Sequence, residues 1–235
     1  MLKLKSLLTE APAGEVGGAQ DMAKKVTSRP LAQSVSMLQK LASDPDTKDI
    51  LNKGAQDGDL QDEQIKMSSG NISCTDMNPT QAEIGFGNSL DDMVINKYKV
   101  VDTCFKSPVT ILGPILCARI AGKVFILDGH HRWSSCFMIN RNAKMVCDIM
   151  EVPSGEDAES ALRLMQVAIL AKAGNVKTKD FEGQDLMATG TDEVIAYVNE
   201  KMLPEVVEKF VTYTNGALAD KAAVAEEVGE AHKDI

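Results

Sequence analysis

KVFILDGHHRWSS, residues 123–135, runs four consecutive apolar residues, Val124, Phe125, Ile126 and Leu127, straight into Asp128, Gly129, His130, His131 and Arg132. A short apolar run closed by Asp-Gly reads as a strand meeting a turn. After Arg132 the period changes, because Trp133, Phe137 and Met138 share a helical face that ends near residues 140–142. The stretch therefore predicts a strand-to-helix junction. Such a junction gathers free backbone N–H groups and the positive end of a helix dipole at one point, which suits an anion. Gly129 lets the backbone turn and approach a ligand closely. Asp128 can accept hydrogen bonds at the helix start, or hold a ribose hydroxyl or a metal ion. His130 and His131 can donate to phosphate oxygens, and Arg132 adds a planar charged fork. The reading is a phosphate cradle. Asp-Gly also makes plain turns, and Asp is a common N-cap, so the junction alone leaves a purely structural turn open. Zinc is not expected: adjacent histidines rarely point to one place, and no third ligand stands at a diagnostic spacing.

Working outward, PVTILGPILCARI (residues 108–120) and KVFIL look like neighbouring strands, most simply a hairpin joined through Ala121, Gly122 and Lys123. AKMVCDIMEV (residues 143–152) is a further strand, closed by Pro153 and Ser154. Upstream, IKMSSGNISCTDM has strand-like pieces, and the segment after it is punctuated by Pro79, Gly85 and Gly87. A short helix over 89–96 is expected, with Ser89 as its cap and Asp91 and Asp92 in its first turn. These elements predict an α+β core over residues 64–153. Residues 1–63 form an N-terminal extension, with helices over 30–41 and, more weakly, 46–53. Residues 154–235 form a helical acidic region: an amphipathic helix over 157–172, a pair over 191–202 and 205–214 broken by Pro204, and an Ala- and Glu-rich end. That end is poor in core formers and reads as a surface helix or frayed tail. No internal repeat is present.

Composition bounds the class. With 44% hydrophobic but 4% aromatic residues, the core is built from aliphatic and Met side chains. The five cysteines are odd in number and widely spaced, which suits reduced, packed thiols better than a disulfide framework. No run of 18 apolar residues exists and the N-terminus lacks a signal-peptide pattern, so a cytoplasmic location and no membrane partner are expected. Residues 180–235 carry 13 acidic side chains against 4 lysines, which equals the whole chain's net charge of −9. Residues 97–150 carry 8 Lys or Arg against 3 Asp, a basic island that could attract phosphate on a nucleotide or on nucleic acid.

KVFILDGHHRWSS resembles the signature of the ParB and sulfiredoxin-like superfamily, whose strand-to-helix motif ends in Gly-x-x-Arg, here Gly129 and Arg132. The Asp-Gly-His-His-Arg spelling is similar to ParB-like nucleases and to the free-serine kinase branch. ISCTDMNPTQAEIGFGNSLDDMV resembles the family's opening strand and Pro-x-Gln segment, and PVTIL its Pro-Ile strand. Order and spacing agree over roughly 90 residues, 65–152. The resemblance implies a small mixed-sheet core that binds a nucleoside triphosphate, ATP first, through Asp128, Gly129, His130, His131, Arg132, Gln81 and Thr80. It implies phosphoryl transfer or hydrolysis with Glu83 as base or His131 orienting the nucleophile, and Mg²⁺ held by Asp128. The chain departs from sulfiredoxin, whose catalytic Cys position is occupied by His130, and from partition ParB, whose DNA-reading region is replaced by an acidic one without Arg beyond Arg163. Two alternatives follow: a ParB-like nuclease on DNA phosphodiesters, or a non-catalytic protein whose C-terminal helices bind a partner or a second copy. The N-terminal segment, its linker and the acidic tail are similar in style to phage-encoded accessory proteins, implying host cytoplasm or virion.

Overall fold

Burial alternates along the central strands as a half-covered sheet requires, and one end of that sheet becomes the candidate site. The computed structural model describes residues 66–81, 83–151 and 183–235. The expected helices over 30–41, 46–53 and 157–172, and the expected boundaries at 63/64 and 153/154, lie outside them. The chain divides into two compact units. Residues 67–117, 123–149 and 181–235 form one, which holds the candidate site. The other comprises residues 1–66, 118–122 and 150–180, and its described part includes the ion pair of Arg119 with Glu151.

The class is α+β. Five strands, β1 (Lys66–Ser73), β2 (Met77–Asn78), β3 (Ile115–Ile120), β4 (Lys123–Asp128) and β5 (Lys144–Glu151), form a mixed sheet in the order β1-β5-β3-β4-β2. β3 and β4 make the expected hairpin. Its two linking residues, Ala121 and Gly122, have φ of 48° and 80°, the positive pair that a tight right-twisted hairpin turn needs. The strand starts at Ile115 rather than Pro108, because Gly113 and Pro114 break the apolar run. Val109 keeps only an isolated parallel bridge to Met145.

Among the described residues the α-helices are α1 (Phe86–Ser89), α2 (Tyr98–Lys106), α3 (His130–Ile139), α4 (Thr191–Lys201), α5 (Pro204–Tyr213) and α6 (Lys221–His232). α3 follows the reading from periodicity, with Trp133, Phe137 and Met138 buried. Its indole anchors the helix to the sheet, since Trp133 Nε1 donates to the Cys74 carbonyl at 3.0 Å. α4 and α5 follow it too, with Pro204 in the first turn of α5, where its missing N–H costs nothing. No described helix is long and apolar enough to cross a membrane. None of the five cysteines forms a disulfide and all are buried, and burial pushes the Cys74 thiol well above its ordinary pKa.

Two expectations are corrected. The helix expected over 89–96 begins at Phe86 and passes into a π-helical turn over Leu90–Ile95. Ser89 is not its cap but a buried residue, 2.9 Å from the Ser134 hydroxyl. The Ala- and Glu-rich end is neither frayed nor superficial. α6 is capped by Asp220, whose carboxylate accepts from Ala223 N–H at 2.9 Å, and it buries Val224, Ala225, Val228 and Ala231 against α3 and α4. Small side chains replace bulk there by allowing close approach. A Cβ on Gly229 would stand 2.3 Å from Ile195 Cγ1.

Candidate functional site

β4 delivers its last residue, Asp128, to Gly129, whose φ of 108° lies in the left-handed region that disfavours a side chain. Gly129 is the N-cap of α3, and no side chain caps the helix. The first-turn N–H groups therefore carry the helix's partial positive charge without a carboxylate or hydroxyl from an N-cap residue. A Cβ at Gly129 would also come within 2.8 Å of Arg132 Nη2.

The second wall comes from β2. It runs parallel to β4, with Met77 opposite Val124 and Asn78 opposite Phe125, so both strands end on the same side of the sheet. Asn78 Nδ2 donates to the Val124 carbonyl at 2.9 Å, and Thr80 Oγ1 donates to the Ile126 carbonyl at 2.6 Å. The chain leaving β2 is thereby drawn along β4 to the start of α3. Thr80 N–H then donates to His130 Nε2 at 3.0 Å.

That bond defines His130. Its Nε2 is an acceptor, so the neutral ring carries its proton on Nδ1, which is buried without a hydrogen-bond partner. The residue is 2% exposed, and burial pushes its pKa down to about 4, with Asp128 opposing and His131 adding to the shift. His131 is half-buried and packs against Gly85: its Cε1 lies 3.1 Å from the place a Gly85 Cβ would occupy. The His131 carbonyl accepts from the Ser134 and Ser135 hydroxyls at 3.1 and 2.6 Å.

Arg132 faces the other neighbour. Its Nη1 donates to the Leu112 and Pro114 carbonyls at 3.1 and 2.8 Å, and its Nη2 to Asp128 Oδ2 at 3.1 Å. The guanidinium thus clamps the turn that leads into β3. Its side chain is 24% exposed, against 71% for Asp128. Asp128 belongs to no group of three or more His, Cys, Asp or Glu side chains that could hold a metal, and none exists among the described residues. These residues do not fit a metal centre built by the protein alone.

Thr80, His130, His131, Asp128, Gly129 and Arg132 are brought to one junction. Gln81 and Glu83 are exposed on the loop above it. The far end of that loop is fixed by residues that sequence reasoning did not single out. Ile84 N–H donates to Asp185 Oδ1 at 2.9 Å, Leu186 N–H to the Ile84 carbonyl at 2.7 Å, and Phe86 N–H to the Gln184 carbonyl at 2.9 Å. Asp185 Oδ1 also accepts from Met187 N–H at 3.1 Å. An Asp followed by a turn in GQDLMATG was the available signal, but not for its partner 101 residues away.

Four of the eight basic side chains of the sequence's basic island are ion-paired, Arg119 with Glu151 among them, while Lys97, Lys99, Lys123 and Lys144 are exposed. Arg132 pairs with Asp128, Lys106 with Asp102 and Arg141 with Asp234. Asp102 also accepts from Lys209 and Tyr213; hydrogen bonds from Lys106 and Tyr213 are the main causes that hold its carboxyl at about 2. In comparisons with protein-family models, curated proteins and solved structures, the chain matches none.

Proposed function

We propose that this chain binds a nucleoside triphosphate, ATP in the first instance, at the start of α3 through a domain of the ParB and sulfiredoxin-like kind. The observation that carries the reading is the convergence of two parallel strands, β2 and β4, on one uncapped helix start with a left-handed glycine. Carboxyl ends of parallel strands are where open α/β sheets take ligands, and an uncapped helix start favours phosphate there. The order of elements, from an opening strand and Pro-x-Gln loop through a hairpin to the Gly-x-x-Arg helix, is also the order the family resemblance implies.

In this reading the N–H groups of the first turn of α3 and the His131 ring take phosphate oxygens. Arg132 holds the 112–114 turn and adds positive charge from behind. Thr80 and His130 hold the loop that presents Gln81 and Glu83. Phosphoryl transfer then requires a hydroxyl or water to attack the terminal phosphorus as its bond to the bridging oxygen breaks, with Glu83 accepting the nucleophile's proton. Pairing of Arg132, Lys106 and Arg141 with carboxylates reduces the positive charge left for the alternative of a nuclease gripping a DNA backbone.

The test is calorimetric titration of the full chain with ATP, CTP, GTP and a short DNA duplex, with and without Mg²⁺, at two salt concentrations. Saturable binding of one nucleotide, lost in His131→Ala, is expected. Binding to DNA alone, fading with salt, would favour the nuclease, and no binding at all would leave a non-catalytic scaffold.

A further inference from the structure

The loop above the junction is fastened at both ends, by different kinds of bond. Its far end is held by backbone bridging: Ile84 and Phe86 pair with residues 184–186, and the Leu186 carbonyl in turn accepts from His232 Nε2 at 2.8 Å. Its near end is held through Thr80, by its amide and by its hydroxyl. Thr80 N–H, in a stretch outside regular structure, donates to His130 Nε2, and the Thr80 hydroxyl lies 3.3 Å from the same nitrogen while donating to Ile126. Between the two fastenings, Gln81 and Glu83 face solvent.

His130 occupies the first position of α3, beside the anion-favouring helix start, yet it is turned inward and buried. An imidazole offers one acceptor at most, and here that acceptor serves the Thr80 amide. A ring committed in this way cannot also present Nε2–H to a phosphate oxygen. We propose that His130 is a positioning residue, a latch whose Nε2 holds the Thr80 amide so that Gln81 and Glu83 stand over the start of α3 when ligand binds. The inference rests on the nucleotide reading for what the loop covers, but not for the latch itself. Leu has a similar volume and no acceptor; Gln places Oε1 close to where Nε2 lies.

The first measurement is on the wild-type chain without ligand. A long-range proton–nitrogen correlation spectrum at pH 7 is expected to show His130 protonated on Nδ1 and bare on Nε2. A ring carrying its proton on Nε2 would overturn the latch outright. Second, amide exchange at Thr80 is expected to quicken about tenfold in His130→Leu and to stay near wild type in His130→Gln. Unchanged Thr80 protection in His130→Leu would also overturn it. Third, ATP affinity is expected to fall about tenfold in His130→Leu and to be rescued in His130→Gln; a loosened Thr80 with unaltered affinity would remove the positioning role. Should the wild type bind no nucleotide, the nucleotide reading fails, while tautomer and exchange still decide the latch. If His130→Leu does not fold, Thr80→Pro removes the amide donor and leaves His130 in place, with Thr80→Ala, which loses only the hydroxyl, as its reference: a loss of affinity beyond that of Thr80→Ala is expected, and equal affinities would count against the latch.

Discussion

A β-carbon added to Gly129 would stand 2.5 Å from Ile115 Cδ1, so the opening of β3 and the junction after β4 fit together only because residue 129 has no side chain. Gly129→Ala therefore meets two obstacles, a positive φ and a collision with a buried residue of the sheet. We expect a loss of about 3 kcal/mol in unfolding free energy, measured by urea denaturation. A cost under about 1 kcal/mol would mean that the junction relaxes easily and is no rigid cradle.

Arg132 joins three partners that no single ammonium can reach together: the Leu112 and Pro114 carbonyls and Asp128. Arg132→Lys keeps the charge and loses the fork. The expected result is about 1–2 kcal/mol of destabilisation, with faster amide exchange in the 110–114 turn. Wild-type exchange there would show that the clamp is not what orders the turn.

The His130 ring gives the fold a defined acid sensitivity. Its pKa is about 4 in the fold and 6.5 when unperturbed, so the unfolded chain takes up this proton first as pH falls. Stability from this source is complete above about pH 6.5, declines between 6.5 and 4, and levels off below. The loss is on the order of 3 kcal/mol in wild type and absent from His130→Gln, so it should appear as a change in the stability difference between the two proteins when urea midpoints are compared at pH 7 and pH 4. Parallel curves for the two proteins would show that the ring titrates normally.

Beside the backbone bridging at the far end of the loop, the Asp185 carboxylate accepts from two backbone amides, those of Ile84 and Met187. Asp185→Ala should cost about 1–2 kcal/mol, and Asp185→Asn, which keeps an acceptor, less than half of that. Equal effects of the two variants would point to the charge rather than the hydrogen bonds.

How much of this was legible depended on sequence distance. The junction itself was readable because strand, glycine and helix are contiguous. The β3–β4 hairpin and the break at Pro204 were equally local. α2 was missed: its sequence YKVVDTCFK holds two valines and a threonine, whose helix propensity is poor, and burial of Val100, Val101 and Cys104 overrides that preference. The buried face of α6 was missed because it is made of Ala, Gly and Val, whose value lies in letting helices approach rather than in bulk. In the site, Thr80 to His130 spans 50 residues and Ile84 to Asp185 spans 101, and no local pattern announces such pairs. The inward turn of His130, whose Nε2 accepts from the Thr80 amide, was not legible either, since its type and neighbours suggest a donor.

The burial of α6 against α3 also has a consequence for biosynthesis. A ribosome that has translated as far as residue 151 has made every described strand of the sheet, α1, α2 and the whole of α3, but not α6, which completes the cover of α3. Until residues 221–232 emerge, the apolar faces around Phe137 and Met138 wait without their final partner. Completion is therefore a late event, and a nascent chain paused between these points would be the form most in need of a chaperone.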